Sequence, residues 1–205
     1  HVVEGENTQP NPHSDFRTPE YTRFPTIQSK KWESTRGMSH SFGFNRNDGE
    51  ADYATPERLL SDFIDGASKG GNLLLNVGPR GTDGGIPDEQ LARLKFFGDW
   101  LAVNGTAVYG TTPWKREGMD CSDTQTDTEI PVRFTRSGND IHIIPLGTPA
   151  GASLRLRNVR LSGQARLVAD GSPVALRQEA NDLIVDFAKP LAGDFAPAVT
   201  VSTGE

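Results

Sequence analysis

Hydrophobic residues along the chain follow two different periods. In "ATPERLLSDFIDGASKGG", Leu59, Leu60, Phe63, Ile64 and Ala67 recur at helical spacing. Thr55 is placed to cap that helix, Pro56 suits its first position, and Gly70–Gly71 end it. "GNLLLNVGP" (71–79) follows, apolar at Leu73–Leu75 and Val77, as a parallel strand buried on both faces would be. After a glycine-rich loop, "IPDEQLARLKFFGDWLAVNG" predicts a helix over 87–103. Asp88 and Glu89 lie at its positive end, Gly105 just past its last turn, and Leu91, Leu94, Phe97 and Leu101 on its buried face beside Trp100. Upstream, "MSHSFGFN" (38–45) has even-spaced apolar positions and predicts a short strand, whereas residues 1–31 read as loop with one short strand at most. Strand, helix, strand and helix in that order make the first 110 or so residues α/β.

Beyond residue 128 the period shortens to two. "EIPVRFTR", "DIHIIPLG", "ASLRLRNV", "ARLVAD", "PVALRQ", "DLIVDF" and "AVTVST" are short alternating runs separated by Gly, Asn, Asp or Pro, the signature of an antiparallel sandwich. The change of character falls near residues 111–128, so the expected domains are 1–114 (α/β) and 115–205 (all-β). There is no internal repeat.

Composition narrows the function. Of 205 residues, 35% are hydrophobic, with 22 Gly and 14 Pro, which suits a loop-rich protein with a modest core. A net charge of −6 without a basic stripe argues against nucleic acid and anionic membranes as partners. No apolar run approaches the roughly 18 residues of a membrane span. One cysteine, Cys121, excludes an internal disulfide. The opening "HVVEGENTQP" carries neither an initiator Met nor a signal-peptide pattern and reads as an internal start, an N-terminal portion being lost or held by another chain. Compartment is open, with periplasm or secretion slightly favoured over cytoplasm, and oligomeric state is unreadable.

The chemistry-bearing segments come early. "DFRTPEY", "KWESTRGMSHSFGFNRNDG", "LLSDFIDGASKGGNLLLNVGPRGTDGGIP" and "WLAVNGTAVYGTTPW" occur in order from Pro12 to Trp114. Together they resemble the C-terminal half of bacterial α-L-fucosidases of glycoside hydrolase family 29, and residues 115–205 fit the β-sandwich that follows the barrel there. Two βα units cannot close a (β/α)8 barrel, so the resemblance makes the α/β part the end of one.

The resemblance implies an exo-acting retaining glycosidase that releases terminal α-L-fucose from a fucosylated glycan or fucoside through a covalent intermediate. Such enzymes place two carboxylates about 5–5.5 Å apart. The close bacterial relatives place the acid/base in the motif that here reads "DFRTPEY", at Glu20. The nucleophile, an Asp on an earlier barrel strand, precedes His1, so this chain would need the N-terminal portion of the same enzyme. Glu33, in "KKWESTRG", is the rival acid/base, assigned to the Trp-Glu motif in other branches; structurally it would bind backbone amides or pair with Arg36. Phe42 corresponds to the aromatic that touches the fucose methyl group, or else is a core residue on a strand. For Glu20 to act, its carboxyl must hold a proton; Phe16 and Tyr21 would favour this by desolvation, whereas an ion pair with Arg17 would oppose it. The chain departs from its relatives at "ENTQPN", which lacks the sugar-contacting Arg of their equivalent segment.

Other signals reduce to turn chemistry. "GASKGGN" and "GPRGTDGG" lack the Gly-Lys-Ser/Thr ending of a phosphate loop, "DTQTDTE" lacks the central Gly of a calcium loop, and no zinc spacing occurs. No metal and no cofactor are expected. His13 and His40 are possible donors to sugar hydroxyls. Alternatives to hydrolysis are transfucosylation and a non-catalytic carbohydrate-binding protein on the same scaffold.

Overall fold

The computed structural model describes residues 15–115, 119–123, 128–191 and 195–204, with the backbone alone described for 119–123. Two compact units divide the chain, His1–Asp99 and Trp100–Glu205.

In the first unit, β1 (Trp32–Gly37) pairs in parallel with β2 (Gly71–Asn76), and α1 (Pro56–Ser68) crosses between them. Thr55 caps α1 by accepting the Arg58 N–H at 3.2 Å, and Pro56 occupies the first turn, where its missing N–H costs nothing. The helix buries Leu59, Leu60 and Ile64 completely, each contributing about 1.5–3 kcal/mol. Asp62 forms ion pairs with Arg23, Arg36 and Arg58, which ties α1 to β1 and to the segment before it. Trp32 is the other anchor. Its ring meets Phe24 edge-on at 4.8 Å, and its indole N–H donates to Lys69 O at 3.2 Å.

Three expectations are corrected here. The strand predicted at 38–45 lies instead at 32–37, and 38–45 is a loop pinned by Asp48, which accepts from Ser39 Oγ (2.7 Å) and Asn45 Nδ2 (2.6 Å). The strand β2 is not buried on both faces, since Asn72 and Leu74 are exposed; α1 covers only the face of Leu73 and Leu75. The helix α2 (Asp88–Asn104) forms as predicted, but its buried stripe is Gln90, Arg93, Phe97, Trp100 and Asn104, whereas Leu91 is 45% exposed. Polar groups occupy that stripe because each finds partners. Gln90 brackets Gly78, accepting its N–H at 2.9 Å and donating to its carbonyl at 3.5 Å. Arg93 donates to Ala54 O at 2.7 Å, to Glu89 O at 2.9 Å and to Glu50 at 2.9 Å, with Tyr53 against its guanidinium. Satisfied polar groups are cheap to bury and unsatisfied ones are not.

The second unit is an antiparallel sheet of β3 (Thr112–Pro113), β4 (Met119–Asp123), β5 (Glu129–Ser137), β6 (Asp140–Pro145), β7 (Ser153–Leu156), β8 (Gln164–Leu167), β9 (Pro173–Glu179), β10 (Asp182–Phe187) and β11 (Val199–Ser202). All seven runs predicted beyond residue 128 are strands. The order is β3-β5-β4-β7-β10-β9-β8-β11-β6, and β5 also pairs with β6. The sheet therefore folds over and closes on itself, with β3 appended to β5. Inside lies the core, centred on Phe134, Val132, Leu154, Leu156 and Val201.

The strand β6 is buried on both faces. On β6, Ile141 and Ile143 face the core, while His142 and Ile144 face outward yet are buried as well. Residues 100–108 supply polar partners nearby: Thr135 Oγ1 donates to Ala107 O at 2.5 Å, Ala198 N–H to Asn104 Oδ1 at 3.2 Å, and Trp100 Nε1 to Ala196 O at 3.0 Å. His142 Nδ1 bonds Thr200 Oγ1 at 2.9 Å, but its Nε2 has no partner among the described residues. Burial pushes this imidazole below its ordinary value, with Asp140 raising it and Arg166 lowering it.

Below the ordinary imidazole value of about 6.5 the unfolded chain takes up a proton that the folded chain refuses. The stability from neutral His142 is thus full above that value and is lost as pH falls toward the folded one, at up to about 1.4 kcal/mol per pH unit. In the complete protein, His142→Leu should lessen the acid-side fall in unfolding free energy by one proton's worth. An unchanged slope in urea titrations between neutral and mildly acidic pH would contradict this.

Candidate functional site

Residues 17–21 run parallel to β1 without counting as a full strand. Glu33 N–H donates to Arg17 O (2.9 Å), Thr35 N–H to Pro19 O (3.0 Å) and Tyr21 N–H to Thr35 O (3.0 Å). Bridges pair Arg17 with Trp32 and Glu20 with Thr35. The order 17–21, β1, β2 is therefore a small parallel sheet. Tyr21 ends the first row, its φ of 52° departing from extended backbone.

Register sorts the side chains. Paired residues share a face and successive residues alternate. Trp32, Ser34 and Arg36 pair with Gly71, Leu73 and Leu75 on the α1 side. Glu33, Thr35 and Gly37 pair with Asn72, Leu74 and Asn76 on the opposite side, and Glu20, paired with Thr35, belongs to that side too. Both candidate carboxylates thus stand on one open face. Adjacent rows lie about 4.8 Å apart and two residues advance about 6.6 Å, which puts their backbones roughly 8 Å apart.

The cations leave that face to the acids. Arg36, the expected partner of Glu33, points to the α1 side, where it pairs with Asp62 and lies 5.5 Å from the Tyr21 ring. Burial there lowers its pKa, with Tyr21 acting to raise it and Arg58 to lower it. Arg17 does not pair with Glu20: it reaches Gln28 Oε1 at 3.4 Å and lies 6.0 Å from the Phe24 ring. Among the described residues neither Glu20 nor Glu33 has a side-chain partner, and Thr35, Asn72, Leu74 and Asn76 beside them carry no charge. Phe16 and Tyr21, the expected desolvating pair, are themselves 46% and 39% exposed.

The two acids differ in place along the strands. Glu20 lies at the C-terminal end of its row, and Glu33 is the second residue of β1. Phe42 joins the end that holds Glu20. It lies in the loop after β1, half-buried rather than in the core, with its ring 5.1 Å from Tyr21 in an edge-on contact. Tyr21 Oη accepts the Gly37 N–H at 3.0 Å, and Asn76, the last residue of β2, donates through Nδ2 to Phe42 O. Tyr21, Phe42 and Asn76 thereby link the C-terminal ends of all three rows.

Asn76, Gln90 and Arg93 were not singled out by the sequence reading. The available signal was Asn76 closing an apolar run, and polar residues at helical spacing with Phe97. Through Gly78 and Ala54, Gln90 and Arg93 hold the loops that follow β2 and the Phe42 segment. His40 is exposed, and Asp15 lies at the start of the described residues. His13 and "ENTQPN" lie outside the described residues, as does most of "DTQTDTE". Among the described residues no His, Cys, Asp and Glu cluster could hold a metal.

A family model described as alpha-L-fucosidase matches residues 1–106. The plasma alpha-L-fucosidase of Homo sapiens is 32% identical over 165 residues, which are 77% of this chain and 33% of that protein. An alpha-L-fucosidase of Dictyostelium discoideum is 36% identical over 93 residues, 45% of this chain and 20% of that protein. The crystal structure of Thermotoga maritima alpha-fucosidase in complex with a mechanism-based inhibitor superposes with a TM-score of 0.82 at 38% identity, covering 94% of this chain and 43% of that one. The chain spans about a fifth to a third of these curated relatives and less than half of the solved one.

Proposed function

Because the chain belongs to the alpha-L-fucosidase family, we propose that it is part of a retaining exo-α-L-fucosidase, with residues 1–114 ending the catalytic barrel and 115–205 forming the C-terminal sandwich. The nucleophile is an Asp on an earlier barrel strand, N-terminal to His1, and the N-terminal portion of the same enzyme completes the site. Within the family we place the chain with the bacterial enzymes, on the "TRG" and "SFGFNRN" segments.

Glu20 is the acid/base. The observation that carries this is its position at the C-terminal end of a parallel row, on the open face, beside the Tyr21–Phe42 pair. Barrel enzymes draw their catalytic residues from that end of the strands, whereas the N-terminal end serves stability. Glu33, near the start of β1, is the supporting acid by the same argument. As acid, Glu20 protonates the glycosidic oxygen while the Asp attacks the anomeric carbon and the bond to the leaving group breaks. As base, it then takes a proton from the water that displaces the Asp. Phe42 offers its ring to the fucose methyl group, a contact of about 1 kcal/mol. That the Thermotoga maritima relative was solved with a mechanism-based inhibitor supports a covalent step.

Anomeric configuration tests the mechanism. The complete enzyme acting on an aryl α-L-fucoside, followed by proton NMR, should release α-fucose first, with the β anomer appearing only by mutarotation. If β-fucose appears first, the reaction inverts and the covalent route fails.

A further inference from the structure

We propose that the closed antiparallel sheet carries a second saccharide site at one mouth, shaped for a sugar bearing a carboxylate or sulfate, with Arg160 and Lys115 as its anion-binding pair. The mouth is formed where β7, β9 and β11 end and where β8 and β10 begin, so the 157–163 loop, the β9–β10 turn and residues 203–204 meet there. Ligand sites recur at such mouths.

A cavity of about 660 Å³ opens there, within the usual range for small-molecule sites. Leu161, Leu176 and Leu183 line it, and Leu161 and Leu176 also pack on the core from which Leu183 comes. Ser162, Gln178 and Thr203 add hydrogen-bonding groups. Gln178 spends its amide hydrogens on Val159 O (3.1 Å) and Asp182 O (2.8 Å), which leaves its carbonyl oxygen to accept from a hydroxyl. An apolar surface with a few polar groups around it is what a sugar ring needs on its two kinds of surface.

A smaller cavity, about 280 Å³, adjoins it, and Arg160 lines both. Lys115, Trp114, Asn158 and Asn181 complete the smaller one. Among the described residues no acid lines either cavity. Arg160, among the described residues, donates to the neutral Asn181 Oδ1, at 2.8 Å, and Lys115 Nζ rests 5.1 Å from the Trp114 ring. Two acids of the same mouth, Glu179 and Asp182, are already paired with Arg155, at 2.6 Å and 3.2 Å. Two cations without an acidic partner among the described residues, in a chain of net charge −6, therefore face one small cavity. A planar guanidinium beside an ammonium suits a carboxylate or sulfate, and the Asn181 amide N–H groups can bind an adjoining hydroxyl. The charge of the ligand follows from these residues, while its being a sugar rests on the fucosidase reading.

The probes are a hyaluronan tetrasaccharide, a chondroitin 4-sulfate tetrasaccharide and neutral chitotetraose, titrated calorimetrically into the complete enzyme. The two anionic probes should bind, more weakly as salt rises, and chitotetraose should not. Arg160→Ala and Lys115→Ala should each weaken binding about tenfold, the loss expected for one charged hydrogen bond, and Arg160→Glu should abolish it. Aryl fucoside turnover in the same samples should stay at the parent level. The proposal is overturned if no probe binds, if chitotetraose binds as well as the anionic probes, or if the Arg160 and Lys115 variants bind them unchanged. Absence of turnover with binding intact would strike the fucosidase reading and leave the mouth site standing.

Discussion

With Glu20 as the proposed acid/base, Glu20→Ala in the complete enzyme should slow hydrolysis of fucosides with poor leaving groups by about 10²–10⁴-fold, while fucosides of acidic phenols should lose far less in their first step. The asymmetry follows from what a general acid does. A sugar alkoxide cannot depart without a proton, whereas a nitrophenolate can, so only the former depends on the missing carboxyl. With the acidic phenol the covalent intermediate should accumulate, because its hydrolysis still needs a base. Azide needs none; displacing the Asp with a second inversion, it should restore turnover and yield α-fucosyl azide. Glu33→Ala separates the two carboxylates that share the open face. As a supporting residue, Glu33 should slow good and poor substrates alike and show no azide rescue. Rescue and leaving-group dependence in Glu33→Ala, with neither in Glu20→Ala, would transfer the role to Glu33.

Gly71→Ala should destabilise the protein by about 3 kcal/mol or more, at the upper end for overpacking a core. A Cβ at Gly71 would lie 2.2 Å from Trp32 Cε2 and 2.4 Å from Cζ2. The indole has nowhere to go. Phe24 blocks it edge-on, Gly66 lies beneath its Cη2, and its N–H is held by Lys69 O. The same substitution at Gly98, on an exposed turn of α2 with nothing within 4 Å of the new methyl, should stabilise by up to about 1 kcal/mol. Urea unfolding of the two variants should therefore move the midpoint in opposite directions. Equal shifts would show that backbone entropy, rather than the Trp32 contact, sets the effect at Gly71.

Seven strands of the antiparallel sheet were legible in the sequence because alternate residues of each reach the core, as in "DLIVDF" or "AVTVST", whereas β3 and β4 fall in the polar stretch read as irregular. The first helix was legible for a local reason, the Thr55–Pro56 start. The strand "WESTRG" was not. One of its faces belongs to the open face with Glu33 and Thr35, and the other holds Trp32 beside Arg36, whose charge is met by Asp62. Read linearly, both faces look polar. "MSHSFGFN" misleads in the opposite direction, since its Phe residues serve a loop held by Asp48 and Asn76. The stripe of Gln90 and Arg93 is hidden for the same reason as Arg36: their partners come from distant segments. Glu20 and Glu33 as members of one face depend on a parallel register that no local pattern encodes.

The join between β5 and β6 makes the second unit's sheet a ring, apart from the short appended β3. Each strand of the ring already has a neighbour on either side, so little free edge is left on which another polypeptide could template a strand. Unpaired edges are where partly folded sheets recruit one another into fibrils. Copies of this unit crowded together must meet through side chains, whose charges can be tuned residue by residue. An inserted segment is best tolerated in a loop at either mouth, whereas an insertion within a strand would open the ring and expose the edges that closure removed.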